Sequence, residues 1–236
     1  DHYKIDSKWE KIIKKKCTKL IVIDDYANRR HFCDIVLDQN LVHNYKTRYH
    51  SLVNRDCKLL LGPKYALLGP EYKNVKRNTS LKSKKINISI FFGSYDFHSL
   101  TYEILSTLIC KINLNELKIN IILEQNHPDY KKIQKLISNY KNILIKKIGI
   151  SLINLLKSTD ILIGSYGVNF WERAIFDIKS IIICTNKDQN KFVKYLEDKN
   201  YCINLGTYNN YSANKLILNL KNIIEKKKLI INKIQI

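Results

Sequence analysis

The chain has 236 residues, enough to bury one sizeable core or two modest ones. Its formal charge of +20 would ordinarily indicate a polyanionic partner, but the lysines are scattered through every segment, so we expect neither nucleic-acid nor membrane binding. The six cysteines lack the spacing of a zinc site, and their usage is typical of the reducing cytoplasm. Two of them, Cys110 and Cys184, lie inside apolar runs and are predicted to be small core residues.

The first predicted elements are a helix and three strands. Residues 8–16 form a short, charged, helix-compatible pattern with Trp9, Ile12 and Ile13 as its apolar face. Apolar runs that predict parallel strands follow at residues 20–24, 34–38 and 58–62. Because the carboxyl ends of parallel strands meet at one edge of a sheet, polar residues there are candidates for a ligand site.

Polar side chains do concentrate around the first two of these strands. They are Asp24, Asp25, Arg29, His31, Asp34, Asp38, Gln39 and Asn40. One interpretation is a ligand site. The other is structural: the aspartates cap helices and pair with Arg29 and Arg30, and His31 is satisfied within a loop.

A second series of elements follows a basic stretch, residues 73–85, which lacks apolar periodicity and is predicted to be a linker. We therefore expect one domain at residues 1–80 and another at residues 81–236. In the second, strands are predicted at 86–92, 118–124, 143–147, 160–163 and 181–184, and helices at 100–112, 130–140, 152–157, from 168, at 189–199 and at 214–228. This alternation predicts an α/β fold with a doubly wound parallel sheet, complete in the second domain and partial in the first.

Two turns of small residues in the second domain are candidates for an anion site. Gly93 and Ser94 follow its first strand, and Gly164 and Ser165 follow a later strand and precede a helix. Such turns leave backbone N–H groups free to face a phosphate, and Glu172, one helical turn further on, could accept hydrogen bonds from two ribose hydroxyls. The alternative is that the glycines only make tight turns and Glu172 is a solvated helix residue.

Several motifs resemble one family. They are residues 23–40 (Ile-Asp-Asp-Tyr-Ala-Asn-Arg-Arg-His-Phe-Cys-Asp-Ile-Val-Leu-Asp-Gln-Asn), residues 62–68 with Glu71, residues 92–96 with Thr101, and residues 164–173, which contain Trp-Glu-Arg. In this order they resemble the UDP-2,4-diacetamido-2,4,6-trideoxy-β-L-altropyranose hydrolases of pseudaminic acid biosynthesis. The resemblance covers essentially the whole chain.

The resemblance implies a fold of the glycosyltransferase B type, with two Rossmann-like domains, and a reaction in which water attacks the anomeric carbon of a UDP-sugar and expels UDP. It implies no cofactor or metal. Tyr3 corresponds to a family tyrosine that lines the active site. The substrate-binding residues implied are Gly93, Ser94, Ile148, Gly164, Ser165, Glu172, Asp188 and Gln189, with the backbone near Ile148 reading the uracil.

Two departures from the family pattern bear on activity. The family's N-terminal Gly-x-Gly-His loop, whose histidine is the general base, has no counterpart here, so we expect the chain to lack the N-terminal part of its first domain. His31 belongs to another motif and does not replace that histidine. Asp188 stands where the family usually has Asn, and a carboxylate beside a pyrophosphate is repulsive unless Lys187 or a shifted pKa compensates.

Three functions are therefore open. The first is the hydrolase. The second is a related UDP-sugar glycosyltransferase or spore-coat polysaccharide enzyme. The third is a UDP-sugar binder without catalysis, or a truncated remnant.

Overall fold

The computed structural model describes residues 2–73, 75, 85–147, 152–226, 231–234 and 236. The chain divides into two compact units, Asp1–Leu68 with Gln235–Ile236, and Gly69–Ile234. Each unit contains a parallel sheet, which confirms the predicted α/β class with two Rossmann-like domains. The domain boundary expected at residues 80 and 81, like most of the predicted linker, lies outside the described residues.

The first unit is built on a sheet of three parallel strands in the order β1-β2-β3. Its elements are α1 (Ser7–Lys14), β1 (Ile21–Ile23), β2 (Ile35–Asp38), β3 (Lys58–Leu61) and a 3-10 helix (Pro63–Tyr65). All three predicted strands are confirmed, each within a residue or two of its expected bounds. The small core contains Val22, Val36, Cys33 and Tyr49.

Helix α1 buries a different face from the one predicted. Trp9 and Ile12 are 45% and 60% exposed, whereas Glu10 is only 1% exposed. The burial of Glu10 is tolerated because its carboxylate accepts hydrogen bonds from the His31 ring (2.8 Å) and the Phe32 N–H (2.6 Å). The predicted apolar face of this helix was therefore wrong at Trp9 and Ile12.

The second unit has a sheet of six parallel strands in the order β6-β5-β4-β7-β8-β9. The strands are β4 (Ile86–Phe91), β5 (Leu117–Ile122), β6 (Ile143–Lys146), β7 (Ile161–Gly164), β8 (Lys179–Cys184) and β9 (Ile203–Thr207). The helices are α2 (Leu100–Lys111), α3 (Tyr130–Leu136), α4 (Leu152–Lys157), α5 (Val168–Ile175), α6 (Lys187–Asp198) and α7 (Ala213–Lys226), with 3-10 helices at Pro70–Tyr72 and Leu114–Glu116.

The order of these strands places a topological switch point between β4 and β7. From β4 the chain proceeds outward through β5 and β6, and from β7 it proceeds in the other direction through β8 and β9. Phe91 pairs with Gly164 at the carboxyl ends of β4 and β7, so the turns after these strands begin side by side. Open α/β sheets bind ligands at this position.

Strand β9 was missed in the sequence. Its residues, Ile-Asn-Leu-Gly-Thr, carry few apolar side chains, and Gly206 has a φ of 109°. It pairs with β8 across an irregular register between Ile182 and Cys184. An edge strand of this composition lacks the continuous apolar run that reveals the central strands.

The cysteines are reduced. Cys184 is buried, as predicted, but Cys110 is exposed, because it lies on the outer face of α2 rather than in the core. Cys33 and Cys57, at the amino ends of β2 and β3, have their Sγ atoms 3.7 Å apart.

Neither a cluster of three metal-binding side chains nor a helix long and apolar enough to cross a membrane occurs among the residues that the structure describes.

Candidate functional site

The turn after β7 is a candidate anion site built from backbone groups. Gly164 ends the strand, and a Cβ at this position would collide with the carbonyl oxygen of Phe91. Gly167 precedes α5, and no side chain in the described part of the chain caps this helix. Phe170 N–H already donates to the Gly167 carbonyl (2.9 Å), so the N–H groups of Val168 and Asn169 are the ones at this helix start that can face an anion. Gly164 therefore allows β7 to pack closely against β4. The backbone N–H donors lie after it, at the start of α5.

The turn after β4 is less available than the sequence indicates. Gly93 has a φ of 91°, and Ser94 is exposed, as expected of a turn. However, the buried Asp96 accepts hydrogen bonds from the N–H groups of Leu100 (3.1 Å) and Thr101 (2.8 Å) at the start of α2. A carboxylate thus already occupies this helix terminus, and only the backbone of Gly93 and Ser94 is left for a second anion.

Gln189 ties two of the turns on this edge together. Its side-chain oxygen accepts a hydrogen bond from Thr185 N–H (2.8 Å), and its side-chain nitrogen donates one to the Tyr166 carbonyl (2.8 Å). The turns after β7 and β8 are therefore held by one amide. Asp188 is exposed in the first turn of α6, where a carboxylate stabilises the helix N-terminus.

Glu172 lies one turn into α5 and is half-buried. Burial raises the pKa of its carboxyl group, and the hydrogen bond from the Tyr72 hydroxyl and the charge of Arg173 oppose this only in part. Tyr72 is 8% exposed and belongs to the 3-10 helix at Pro70–Tyr72. The sequence did not indicate that Tyr72 would contact Glu172, because this contact depends on how the 3-10 helix at Pro70–Tyr72 packs within the unit.

Arg173 lies beneath the turn after β7. One of its terminal nitrogens, Nη2, donates hydrogen bonds to the Ser165 carbonyl (2.8 Å) and to Asn169 Oδ1 (2.5 Å). In the sequence it was noticed only as part of the Trp-Glu-Arg motif, with no role. Ile148, expected to read a uracil, lies outside the described residues.

The polar cluster of the first unit is largely structural. Asp24 is 3% exposed and accepts hydrogen bonds from Arg29 Nη1 (2.7 Å), Ala27 N–H (2.8 Å) and Tyr49 Oη (2.8 Å). Burial raises the pKa of the Asp24 carboxyl, but the neighbouring His31, the hydrogen bonds from Ala27 and Tyr49 and the charge of Arg29 outweigh it and hold that pKa far below its usual range. Asp34 pairs with Lys14, and the Gln39 side chain accepts from Leu67 N–H (2.9 Å).

His31 lies at the centre of this cluster, between two carboxylates. Its Nδ1 is 2.8 Å from Glu10 Oε1, and its Nε2 is 3.7 Å from Asp24 Oδ2. Burial lowers the pKa of the imidazole, but hydrogen bonds and charges from Asp24 and Glu10 outweigh it and raise the pKa above 6.5. The structural interpretation therefore holds for Nδ1, which is hydrogen-bonded to Glu10, whereas Nε2 faces Asp24 at ion-pair distance and has no hydrogen-bond partner among the described residues.

Tyr3, the residue expected to line the active site, is exposed in the first unit. It is 57% exposed, and its hydroxyl donates a 3.2 Å hydrogen bond to Asp25 Oδ2. Its ring contacts Tyr26 edge-on, with ring centroids 4.6 Å apart. The structure thus places Tyr3 beside the Asp24-Asp25 pair at the carboxyl end of β1.

Curated proteins resemble most of this chain. No model of a known protein family matches it. A UDP-2,4-diacetamido-2,4,6-trideoxy-β-L-altropyranose hydrolase of Campylobacter jejuni is 29% identical to it over 202 residues, which are 85% of this chain and 70% of that protein. The resemblance that the motifs indicated is confirmed.

Solved structures show the same fold. MurG of Acinetobacter baumannii superposes with a TM-score of 0.62 at 14% identity, covering 92% of this chain and 67% of that one. A putative UDP-N-acetylglucosamine 2-epimerase of Listeria monocytogenes gives a TM-score of 0.56 at 9% identity, covering 92% and 69%. At these identities the likeness establishes the architecture, which is of the glycosyltransferase B type.

Proposed function

We propose that this protein hydrolyses a nucleotide sugar, with UDP-2,4-diacetamido-2,4,6-trideoxy-β-L-altropyranose as the substrate, in pseudaminic acid biosynthesis. The observation that carries the proposal is the uncapped N-terminus of α5 at the switch point, with Glu172 one turn further on. The backbone N–H groups at the start of α5 can donate hydrogen bonds to a diphosphate. The Glu172 carboxylate can accept hydrogen bonds from two neighbouring hydroxyls of a ribose. The similarity to the Campylobacter jejuni hydrolase supports the same chemistry.

In the proposed reaction, water attacks the anomeric carbon as the bond from that carbon to the UDP oxygen breaks. One proton of the attacking water passes to bulk water, the configuration at the anomeric carbon inverts, and the electron pair of the broken bond stays on the departing oxygen of UDP. Because UDP is a stable anion, the turn after β7 contributes by binding its charge as it develops. Gly93, Ser94 and Ser165 line the diphosphate in this proposal, and Asp188 and Gln189 lie toward the sugar.

The location proposed is the cytoplasm. The described cysteines are all free thiols, which a reducing compartment maintains.

The test is incubation of the protein with the UDP-sugar and no acceptor. We expect release of UDP together with free sugar of inverted configuration, and loss of this release in Glu172→Ala. A related glycosyltransferase would release UDP only when an acceptor is added. Tight UDP binding with no turnover, with or without an acceptor, would indicate a UDP-sugar binder without catalysis. The absence of any UDP binding would contradict the hydrolase, the glycosyltransferase and the binder alike.

A further inference from the structure

Arg173 is a buried cation whose side chain is directed at the proposed diphosphate turn. It is 1% exposed and lies in the last turn of α5. Long side chains on a helix point back toward its N-terminus, and Arg173 does so here, reaching Ser165 before the helix and Asn169 in its first turn. The side chain therefore contacts both ends of the segment that would hold the anion.

No carboxylate among the described residues forms an ion pair with this guanidinium. Its hydrogen-bonded partners are a carbonyl and an amide oxygen, both uncharged. Its Nε and Nη1 have no hydrogen-bond partner among the residues that the structure describes. Glu172, the neighbouring carboxylate, acts on it only through space.

Such an arrangement is unusual because buried charges are normally paired. Burial lowers the pKa of Arg173 to about 9, so the side chain is still protonated at neutral pH. A buried polar group with open donors requires an explanation. Here the same guanidinium reaches Ser165 and Asn169 through Nη2, beside a helix N-terminus that no described side chain caps.

We propose that Arg173 is a positioning residue for a diphosphate group bound at the turn after β7. Its hydrogen bond draws the Ser165 carbonyl inward, so that the N–H groups of the turn face outward. Its positive charge is balanced by the diphosphate only when the ligand is bound. The inference rests on the proposed function for the site, and it adds the source of the charge that the turn itself lacks.

The experiment compares three probes by titration calorimetry: UDP, uridine and inorganic pyrophosphate. Uridine has the same base and ribose as UDP without the charge, so the ratio of the two affinities isolates the diphosphate. In Arg173→Gln we expect UDP affinity to fall about 10- to 100-fold and uridine affinity to change less than about threefold. Uridine binding and the thermal unfolding midpoint report whether the variant is folded.

Two further variants separate charge from packing. Asn169→Asp leaves Arg173 in place and sets a carboxylate against it, and since an acidic residue in the first turn stabilises a helix, this variant should fold. We expect its preference for UDP over uridine to fall about tenfold, because the guanidinium is then neutralised. Arg173→Lys keeps a charge, and its preference should stay within about threefold of wild type.

The outcomes distinguish this inference from the proposed function. If Arg173→Gln and Asn169→Asp weaken UDP and uridine equally, or leave the UDP preference intact, Arg173 serves packing alone and the inference is overturned while nucleotide binding stands. If pyrophosphate binds in a manner that depends on Arg173 but uridine does not bind, the inference stands and the nucleotide function fails. If wild type binds none of the three probes, both fail.

Discussion

At the scale of single residues, Glu172 carries the most specific functional expectation. Its carboxylate already accepts a hydrogen bond from Tyr72, which holds it in place on α5. If it also binds the ribose, Glu172→Ala should weaken UDP binding by about 1.5–3 kcal/mol, the range for hydrogen bonds to a charged group. Calorimetry measures the change, with the exposed Glu116 changed to Ala as the control. Unchanged affinity would exclude the ribose contact.

The raised pKa of Glu172 also predicts how UDP binding depends on pH. Burial keeps this carboxyl protonated to a higher pH than an ordinary glutamate, so it loses acceptor capacity earlier as pH falls. We expect UDP affinity to decline on acidification through the raised pKa. Glu172→Gln, which cannot titrate, should remove this component of the pH profile. A wild-type profile identical to that of Glu172→Gln would contradict the assignment.

His31 makes a prediction about stability in the first unit. Because the folded pKa lies above 6.5, folding takes up a proton near neutral pH, and the stabilisation is full below the unfolded value and lost as pH rises through the folded pKa. His31→Gln should therefore cost about 3 kcal/mol of unfolding free energy in mild acid. That cost should shrink in alkaline solution.

Denaturant unfolding at several pH values measures the effect. The exposed His50, changed to Gln, is the matched control and should shift stability by less than about 0.5 kcal/mol at every pH. If the loss of unfolding free energy caused by His31→Gln increased with pH, the His31 imidazole would be neutral, and not protonated, in the folded protein.

The buried pairing of Glu10 with His31 could not be predicted from the sequence. The apolar pattern of α1 pointed to Trp9 and Ile12, yet the helix buries Glu10 because His31 and the Phe32 N–H are there to receive it. The partners are 21 and 22 positions away along the chain. The periodicity of apolar residues predicts which face of a helix is buried. It cannot show that a hydrogen-bond partner far away in the sequence allows a polar side chain to be buried there instead.

At the scale of elements, Gly164 links the sheet to the site. The backbone of β4 lies so close that a Cβ at Gly164 would collide with the Phe91 carbonyl. Gly164→Ala should therefore cost about 1–3 kcal/mol of unfolding free energy, as overpacking usually does. Ser94→Ala, on the exposed turn of the same edge, should cost less than about 0.5 kcal/mol. Equal stability of the two variants would mean that β4 and β7 can separate freely.

The elements themselves were mostly predictable. Strands β7 and β8 lie inside the sheet and contain continuous buried apolar runs, Ile-Leu-Ile and Ile-Ile-Ile-Cys, whereas β4 and β5 are recognisable by apolar residues that alternate with polar ones. Strand β9 is at the edge and contains Asn, Gly and Thr, and nothing in its composition distinguished it from a loop. The turns of the candidate site were located correctly because they follow recognisable strands, but the cap that Asp96 places on α2 was not foreseen.

At the scale of the whole molecule, the formal charge of +20 should influence how a charged ligand arrives. Surface lysines attract an anion over a distance of about 10 Å at an ionic strength of about 0.1 M, and added salt screens that attraction. The association rate of UDP should fall several-fold between low and high salt, whereas that of uridine should hardly change. Stopped-flow measurements at several salt concentrations test this, and equal slopes for the two ligands would contradict it.

The overall architecture could be read from the alternation of elements, because each strand–helix unit is local in sequence. The sequence did not show that the two glycine turns on the sheet edge differ in their free backbone donors. The two glycine turns look alike in sequence, yet α2 is capped by Asp96 and α5 is not capped by any described side chain. That difference arises from side-chain geometry, and it leaves the start of α5, unlike that of α2, without a carboxylate acceptor among the described residues.

The closeness of Cys33 and Cys57 has a practical consequence for anyone who purifies the protein. Their sulfurs lie 3.7 Å apart, so a modest approach would allow a covalent cross-link between the amino ends of two neighbouring strands. Burial raises the pKa of both thiols, which keeps them from attacking an oxidant quickly. Prolonged storage in air at alkaline pH should therefore produce an intramolecular bridge slowly, and a fresh preparation kept with a reducing agent should stay free of it.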